Sequence, residues 1–217
     1  MKYKLFVFDW DGTLMDSEAK IISCMNLVIR DMNFEQRTDD QIRNIIGLGF
    51  KEALTVLFPE KASFYEKFVE QYRVYFLSEE SEESPLFSHV EKLLELLNSH
   101  SYFVAVATGK GRRGLDKVLK ESQLEQYFQV TRCADETFSK PNPQMLNEIM
   151  DFVGVEANET IMIGDTEYDL NMALNAGCDS IGIAHGTHDE SRLKECKPIE
   201  IFQDIKEMYR WVDTQQH

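Results

Sequence analysis

The chain predicts an α/β fold: a parallel sheet covered by helices on both faces, with an extra helical segment inserted after the first strand. Three observations carry that prediction. Short apolar runs recur, and the later ones are separated by stretches whose apolar residues fall at helical spacing. Residues able to do chemistry collect where several of these runs end, as they do at the carboxyl edge of parallel sheets. More than ninety residues separate the first run from the second, far more than one crossover needs.

Leu5–Phe8 is the first strand, a continuous apolar run suited to burial on both faces. It stops at Asp9-Trp10-Asp11-Gly12. If the chain turns at Gly12, two carboxylates one residue apart can converge on one substrate while doing different jobs, which suggests phosphoryl chemistry rather than a structural pair. The long stretch that follows reads as mostly helical. Ile21, Ile22, Met25, Val28, Ile29 and Met32 form one stripe, and Phe64, Phe68, Val69, Tyr72 and Phe76 another; both are read as helix-packing core. Between them Asp39 or Asp40 is placed to cap a short helix that stops at Gly47, and Lys51–Phe58 makes the next. Glu79-Glu80-Ser81-Glu82-Glu83 reads as a solvated, flexible link.

The second strand, Phe103–Ala107, ends in Thr108-Gly109-Lys110. Gln129–Cys133 is the third, Thr160–Ile163 the fourth and Ser180–Ala184 the fifth. The fourth runs into Gly164-Asp165 and opens a helix with Asp169 four residues further on. Helical stripes lie between: Val90, Leu93, Leu94 and Leu97; Leu115, Val118 and Leu119; Met145, Ile149 and Phe152. Ser139-Lys140-Pro141 sets a lysine before a proline ahead of the last of them.

At 217 residues the chain suits one core domain with a modest insertion. Its 38 acidic against 23 Lys and Arg residues give a formal charge of −15, which argues against a nucleic-acid backbone or an anionic membrane as main partner. A small anionic substrate is compatible with that balance, because one pocket can be positive on an acidic protein. Cys24, Cys133, Cys178 and Cys196 are scattered and form no C-x-x-C pair, so reduced thiols are expected. The first residues enter a strand with no apolar leader, and no run approaches the ~20 apolar residues of a membrane span. The expectation is a soluble, cytoplasmic protein of undetermined oligomeric state.

Taken in order, the segments ending at Asp9-Trp10-Asp11, Thr108-Gly109, Lys140 and Asp165–Asp169 resemble the four motifs of the haloacid dehalogenase-like hydrolase superfamily. The resemblance implies a Rossmann-like core from residues 1–15 and 86–217. It makes residues 16–85 a helical cap, with Gly12–Ser17 and Ser78–Pro85 as hinges. It implies that Asp9 is the nucleophile, forming an aspartyl phosphate, and that Asp11 is the general acid and base. Lys140 would neutralise charge between Asp9 and the phosphoryl group, while Thr108 and the Gly109 N–H hold a phosphate oxygen. Magnesium would be bound by Asp9, the Asp11 carbonyl and Asp165, with Asp169 on the ion or its waters; an acid interacting with a helix N-terminus is the other reading of Asp169.

Within that superfamily Asp11 and Asp165 argue against the dehalogenase branch, Asp11 against the phosphonate-cleaving branch, and the transporting ATPases are membrane proteins. A phosphatase acting on a small phosphorylated metabolite remains, or a phosphomutase. Gly47-Leu48-Gly49-Phe50-Lys51-Glu52-Ala53-Leu54 resembles the cap loop and helix of phosphoglycolate phosphatase-like members, so phosphoglycolate is the favoured substrate, with sugar phosphates and nucleotides as alternatives. A phospho-acceptor module without turnover is the alternative of another class; the long insertion and the paired acids favour the enzyme. Several readings stay open. Lys51 tunes specificity if its loop faces the site. Arg112 and Arg113 meet a substrate carboxylate or lie on a helix surface. His185 and His188 are loop histidines or a sparse zinc pair, and Glu167 is expected to face solvent.

Overall fold

The computed structural model describes residues 2–78 and 84–215. Six parallel strands form one sheet in the order β3-β2-β1-β4-β5-β6: β1 Leu5–Phe8, β2 Phe103–Thr108, β3 Val130–Cys133, β4 Thr160–Gly164, β5 Asp179–Ile183 and β6 Glu200–Phe202. This is the doubly wound Rossmann order. Leu5 pairs with Phe103 on one side and Thr160 on the other, so β1 is central and the chain switches direction between β1 and β4. Both of the strands that carry the key aspartates therefore end at the crevice where such sheets bind ligands. Apart from β1, each expected strand is shifted by one residue at one end or both, and β6 was not expected at all.

Alternation along the strands assigns the two faces. Phe6, Phe8, Val104, Val106, Ile161 and Ile163 pack with helices α5 Val90–Ser99, α6 Arg112–Ser122 and α10 Ile205–Thr214. Leu5, Val7, Ala105, Ala107 and Met162 face α7 Gln144–Val153 and α8 Glu167–Ala176. A short α9, Glu190–Glu195, precedes β6. Each fully buried large side chain contributes on the order of 1.5–3 kcal/mol, enough that a one-residue slip of β1 would be prohibitive. Phe152 departs from its expected stripe: it is exposed, and Leu146 and Met150 complete the buried face of α7.

The stretch after β1 holds α1 Glu18–Asp31, α2 Asp39–Arg43, α3 Phe50–Leu57 and α4 Tyr65–Leu77. Its buried side chains form a cluster of their own, with Met25 and Ile29 from α1, Leu54 from α3 and Phe68 and Phe76 from α4, and no strand residue. Phe64 is exposed because it ends a 3₁₀ turn at Pro59–Phe64 ahead of α4. The cap of α2 is Thr38 rather than Asp39 or Asp40: its hydroxyl accepts from the Gln41 N–H while the Gln41 side chain accepts from the Thr38 N–H. α2 itself ends at Arg43, and α3 starts one residue earlier than expected.

The two connections to this helical segment run side by side. Asp16 N–H donates to the Pro85 carbonyl at 2.8 Å, Phe87 N–H to the Leu14 carbonyl at 3.0 Å, and Met15 bridges Leu86. The acidic link Glu79–Glu83 lies outside the described residues. None of the four cysteines is in a disulfide, and no helix among the described residues is long and apolar enough to cross a membrane.

Candidate active site

β1 delivers Asp9 to the middle of the carboxyl edge, where its N–H still pairs with the Ile163 carbonyl of β4 at 2.9 Å. The chain then turns: the Trp10 carbonyl accepts from the Leu14 and Met15 N–H groups, and Gly12 sits at φ +81°. A Cβ at Gly12 would stand 2.2 Å from Asp165 Oδ2, so both the backbone conformation and the crowding require glycine. Asp11 is thereby separated from Asp9 and comes to rest between Ser17, whose hydroxyl donates to Oδ1 at 2.6 Å, and Lys110, whose Nζ is 2.9 Å from Oδ2.

Asp9 is essentially buried, and among the described residues its carboxylate has no hydrogen-bond partner apart from Lys140 Nζ at 2.8 Å from Oδ1. Burial lifts its pKa well above the ordinary range; Lys140 opposes the rise, and Asp169 and Asp165 add to it. Lys140 is also fully buried and touches Asp169 Oδ1 at 2.5 Å. Burial alone would lower the ammonium, but Asp169 and Asp9 outweigh it and hold it raised.

β4 places Asp165 beside this pair. The Thr13 hydroxyl donates to its Oδ1 at 2.6 Å and the Thr187 N–H to Oδ2 at 2.8 Å. Its pKa is raised to about 6, chiefly by burial and then by Asp169. Asp169 combines both expected readings. Its Oδ2 accepts from the Thr166 N–H and hydroxyl, completing the capping box of α8, while its Oδ1 faces Lys140.

Oxygens of Asp9, Asp165 and Asp169 lie within 4.8 Å of one another, and they are the grouping among the described residues able to hold a metal ion. One lysine cannot balance three buried carboxylates. A hard divalent cation, which takes oxygen ligands, fits this donor set and the unpartnered Asp9 oxygen.

Thr108 is buried at the end of β2, where its Oγ1 accepts from the Lys110 N–H at 3.1 Å. Gly109 leaves no room for a side chain, since a Cβ would meet the Gly47 carbonyl oxygen at 2.5 Å. The loop between α2 and α3 thus lies directly over the phosphate-binding motif. Gly49 N–H to Ser139 Oγ (2.7 Å), Tyr168 hydroxyl to the Asn44 carbonyl (2.7 Å) and Arg192 to the Asn44 side chain (2.8 Å) fasten it to the sheet layer. Beneath it is a cavity of about 80 Å³, reached by Asp9, Asp11, Thr108, Gly109 and Lys110 from below and by helical-segment side chains from above.

Other candidates go elsewhere. Arg112 is drawn to Glu136 and Thr131, whereas exposed Arg113 stands at the cavity's edge. Lys51 is exposed and absent from the cavity wall, to which α3 contributes Phe50 and Ala53. Glu167 does not simply face solvent: it is half-buried and ion-paired with Arg192 at 2.8 Å. The histidines do not pair. His185 Nε2 lies 3.2 Å from the Thr13 carbonyl with its ring stacked on Phe87, and His188 Nδ1 accepts from the Glu167 N–H at 3.2 Å. Sequence reasoning missed Thr13, Ser17, Lys110 and Thr187. Thr13 and Lys110 adjoin the motifs and were findable; Ser17 and Thr187 carry no pattern.

Comparison with known proteins identifies the family. A family model described as haloacid dehalogenase-like hydrolase matches residues 6–183. Probable phosphatase IndB of Dickeya dadantii (strain 3937) is 32% identical over 209 residues, covering 94% of this chain and 91% of the relative. Phosphoglycolate phosphatase of Aliivibrio fischeri (strain ATCC 700601 / ES114) is 29% identical over 213 residues, 94% of this chain and 93% of that protein. Among solved structures, a hydrolase from Pseudomonas syringae superposes with a TM-score of 0.89 at 21% identity, covering 98% of each chain.

Proposed function

The chain belongs to the haloacid dehalogenase-like hydrolases and is a phosphatase, and within that class we propose a magnesium-dependent phosphomonoesterase that works through an aspartyl phosphate on Asp9. The observation that carries this reading is the state of Asp9: buried at the switch point, touched by a buried ammonium, with a carboxylate oxygen that no hydrogen bond occupies. A nucleophile needs such an unencumbered oxygen, and splitting hydrolysis into two displacements lowers each barrier.

In the first displacement Asp9 attacks phosphorus in line with the departing alkoxide. Lys140 holds the Asp9 carboxylate and offsets charge on the phosphoryl oxygens, and Thr108 with the Gly109 N–H presents donors to one of them. Asp11 protonates the alkoxide, then takes a proton from the water that attacks the aspartyl phosphate, a role typically worth about 10²–10⁴ in rate. Ser17 and Lys110 hold Asp11 by both oxygens, so it meets the leaving group in one orientation. Asp9, Asp165 and the Asp11 carbonyl would hold the magnesium ion, which supplies charge neutralisation at the transferring phosphoryl group. Asp169, engaged by Lys140 and Thr166, acts by fixing Lys140 and the ion's surroundings.

Residues 16–85 are proposed to act as the cap and residues 1–15 and 86–217 as the core. The separate apolar cluster of α1–α4 and its paired connections support that division. Closure would exclude bulk water from the site while the phosphoryl group passes from the departing alkoxide to Asp9. The relatives' names make phosphoglycolate the first substrate to assay. The test of the mechanism is Asp9→Asn, assayed with p-nitrophenyl phosphate alongside circular dichroism. Turnover should vanish with the fold intact; appreciable activity in the folded variant would remove Asp9 as nucleophile.

A further inference from the structure

We propose that Arg113 sets the specificity of this site. Its guanidinium receives an anionic group carried by the leaving alcohol, a carboxylate or a second phosphate, while the phosphoryl group lies at Asp9; this rests on the phosphomonoesterase reading above.

One cavity serves both ends of such a substrate. Arg113 and Gly114, in the first turn of α6, line it together with Asp9, Asp11 and Thr108. A short molecule lying in it therefore meets the nucleophile and this arginine at once. The neighbouring cations are committed elsewhere. Arg112 is tied to Glu136 at 2.8 Å and Asp116 at 3.2 Å, Arg73 pairs with Asp135 at 3.6 Å, and Lys110 holds Asp11 at 2.9 Å. The Arg113 side chain makes no ion pair or hydrogen bond among the described residues. Seven of the nine arginines do hold a carboxylate, and Arg210, the other exception, does not line the cavity. On a chain with 38 acidic against 23 basic residues, partners are not scarce, so an unpaired guanidinium at a cavity's edge is a charge available to a ligand.

Lys20 adds positive charge to the same wall. Its ammonium lies 4.8 Å from the centroid of the Phe76 ring, which lines the cavity, and no carboxylate among the described residues pairs with it. Lys110 lies over that ring as well, at 4.3 Å. Burial lowers the Lys20 pKa, and repulsion from Lys117 and Lys110 adds to the effect. An anion in the cavity would relieve that repulsion. Carboxylate and phosphate both match the fork of a guanidinium. Met25, Leu48 and Phe50 then pack against the carbon chain between the substrate's two anions.

Matched pairs of esters isolate the charge. On the magnesium-loaded enzyme, kcat/KM is measured for 2-phosphoglycolate against its neutral amide, and for ethylene glycol bisphosphate against 2-hydroxyethyl phosphate. Wild type should prefer the anionic member of at least one pair by roughly tenfold, and by less at high salt because Arg113 is exposed. Which pair shows the preference tells carboxylate from phosphate. Arg113→Gln should remove most of it, and Arg113→Lys should retain part. Arg112→Gln deletes the same charge one residue away and should keep the preference, because that guanidinium is turned to Glu136. Circular dichroism checks that each variant is folded. No preference in either pair overturns the proposal, as does one that survives Arg113→Gln or is lost equally in folded Arg112→Gln. p-Nitrophenyl phosphate runs as a control. Its hydrolysis without a preference in either pair defeats this proposal alone, while no hydrolysis of any ester defeats the activity on which it rests.

Discussion

Replacing Asp165 with asparagine should stabilise the metal-free protein while abolishing its response to magnesium. Asp165 is fully buried, and its carboxyl is raised from the ordinary 3.8 to about 6. At 1.36 kcal/mol per pH unit, keeping it ionised costs the folded protein about 3 kcal/mol above pH 6. The sign follows from proton counts. Between about pH 4 and 6 the folded chain retains a proton that the unfolded chain has lost, so this group's contribution to stability falls as pH rises through that window. Below about pH 4 both states are protonated and the cost disappears. Asparagine removes the charge and can keep both contacts, its Oδ1 accepting from the Thr187 N–H and its amide donating to the Thr13 hydroxyl. For a chain of this size, 1 kcal/mol moves Tm by about 2–4 °C. Melting in chelator should then show the variant roughly 6–12 °C above wild type at pH 7.5, converging towards pH 4. Added magnesium should raise the wild-type Tm and leave the variant's unmoved. A gain of equal size at both pH values, or equal stabilisation of both proteins by magnesium, would refute the reasoning.

Lys140→Met leaves Asp9 and Asp169 as uncompensated buried carboxylates, a loss of about 3–5 kcal/mol in chelator melts; turnover should collapse on every phosphoester, since the lysine serves the shared phosphoryl group. Chelation should stop hydrolysis and magnesium restore it, while excess calcium inhibits because it takes more oxygens at longer distances; full activity in chelator would point to a metal-free mechanism. Gly12→Ala forces a Cβ to within 2.2 Å of Asp165 Oδ2 at a φ of +81°, and should cost more than about 1 kcal/mol and most of kcat; a stable, active variant would show that the turn is not needed to set Asp11 apart from Asp9.

What was legible in the sequence follows from which forces leave a pattern. β1, β2 and β4 are buried on both faces, so their apolar runs are continuous and their ends sharp. β6 has three residues, begins with an exposed glutamate and lies at the sheet's edge, so nothing distinguishes Glu200–Phe202 from a loop. The Thr38 cap was overlooked in favour of two adjacent aspartates, although glutamine three residues after the threonine is a readable pairing. Asp9, Asp11, Thr108, Lys140, Asp165 and Asp169 stood out because they end strands or adjoin breakers, and they do converge at the carboxyl edge of the sheet. The groups that hold them did not, because a single hydroxyl has no period: Thr13 reaches Asp165 across 152 residues of chain.

The cavity wall was hidden for a different reason. Helical periodicity reports that a face is buried, not what it is buried against. Met25, Tyr72 and Phe76 belong to the stripes that read as packing core, and they do pack there, yet the same side chains reach the space above Asp9. One face serving both tasks couples fold and selectivity: enlarging or charging these residues would disturb the helical cluster before it tested specificity. Leu48 also packs against that cluster, but from a loop and only partly buried, so it carries less of the coupling. It lies on the loop over Gly109 and is only partly buried, so its replacement changes the wall's chemistry with the smallest disturbance of the helices beneath it.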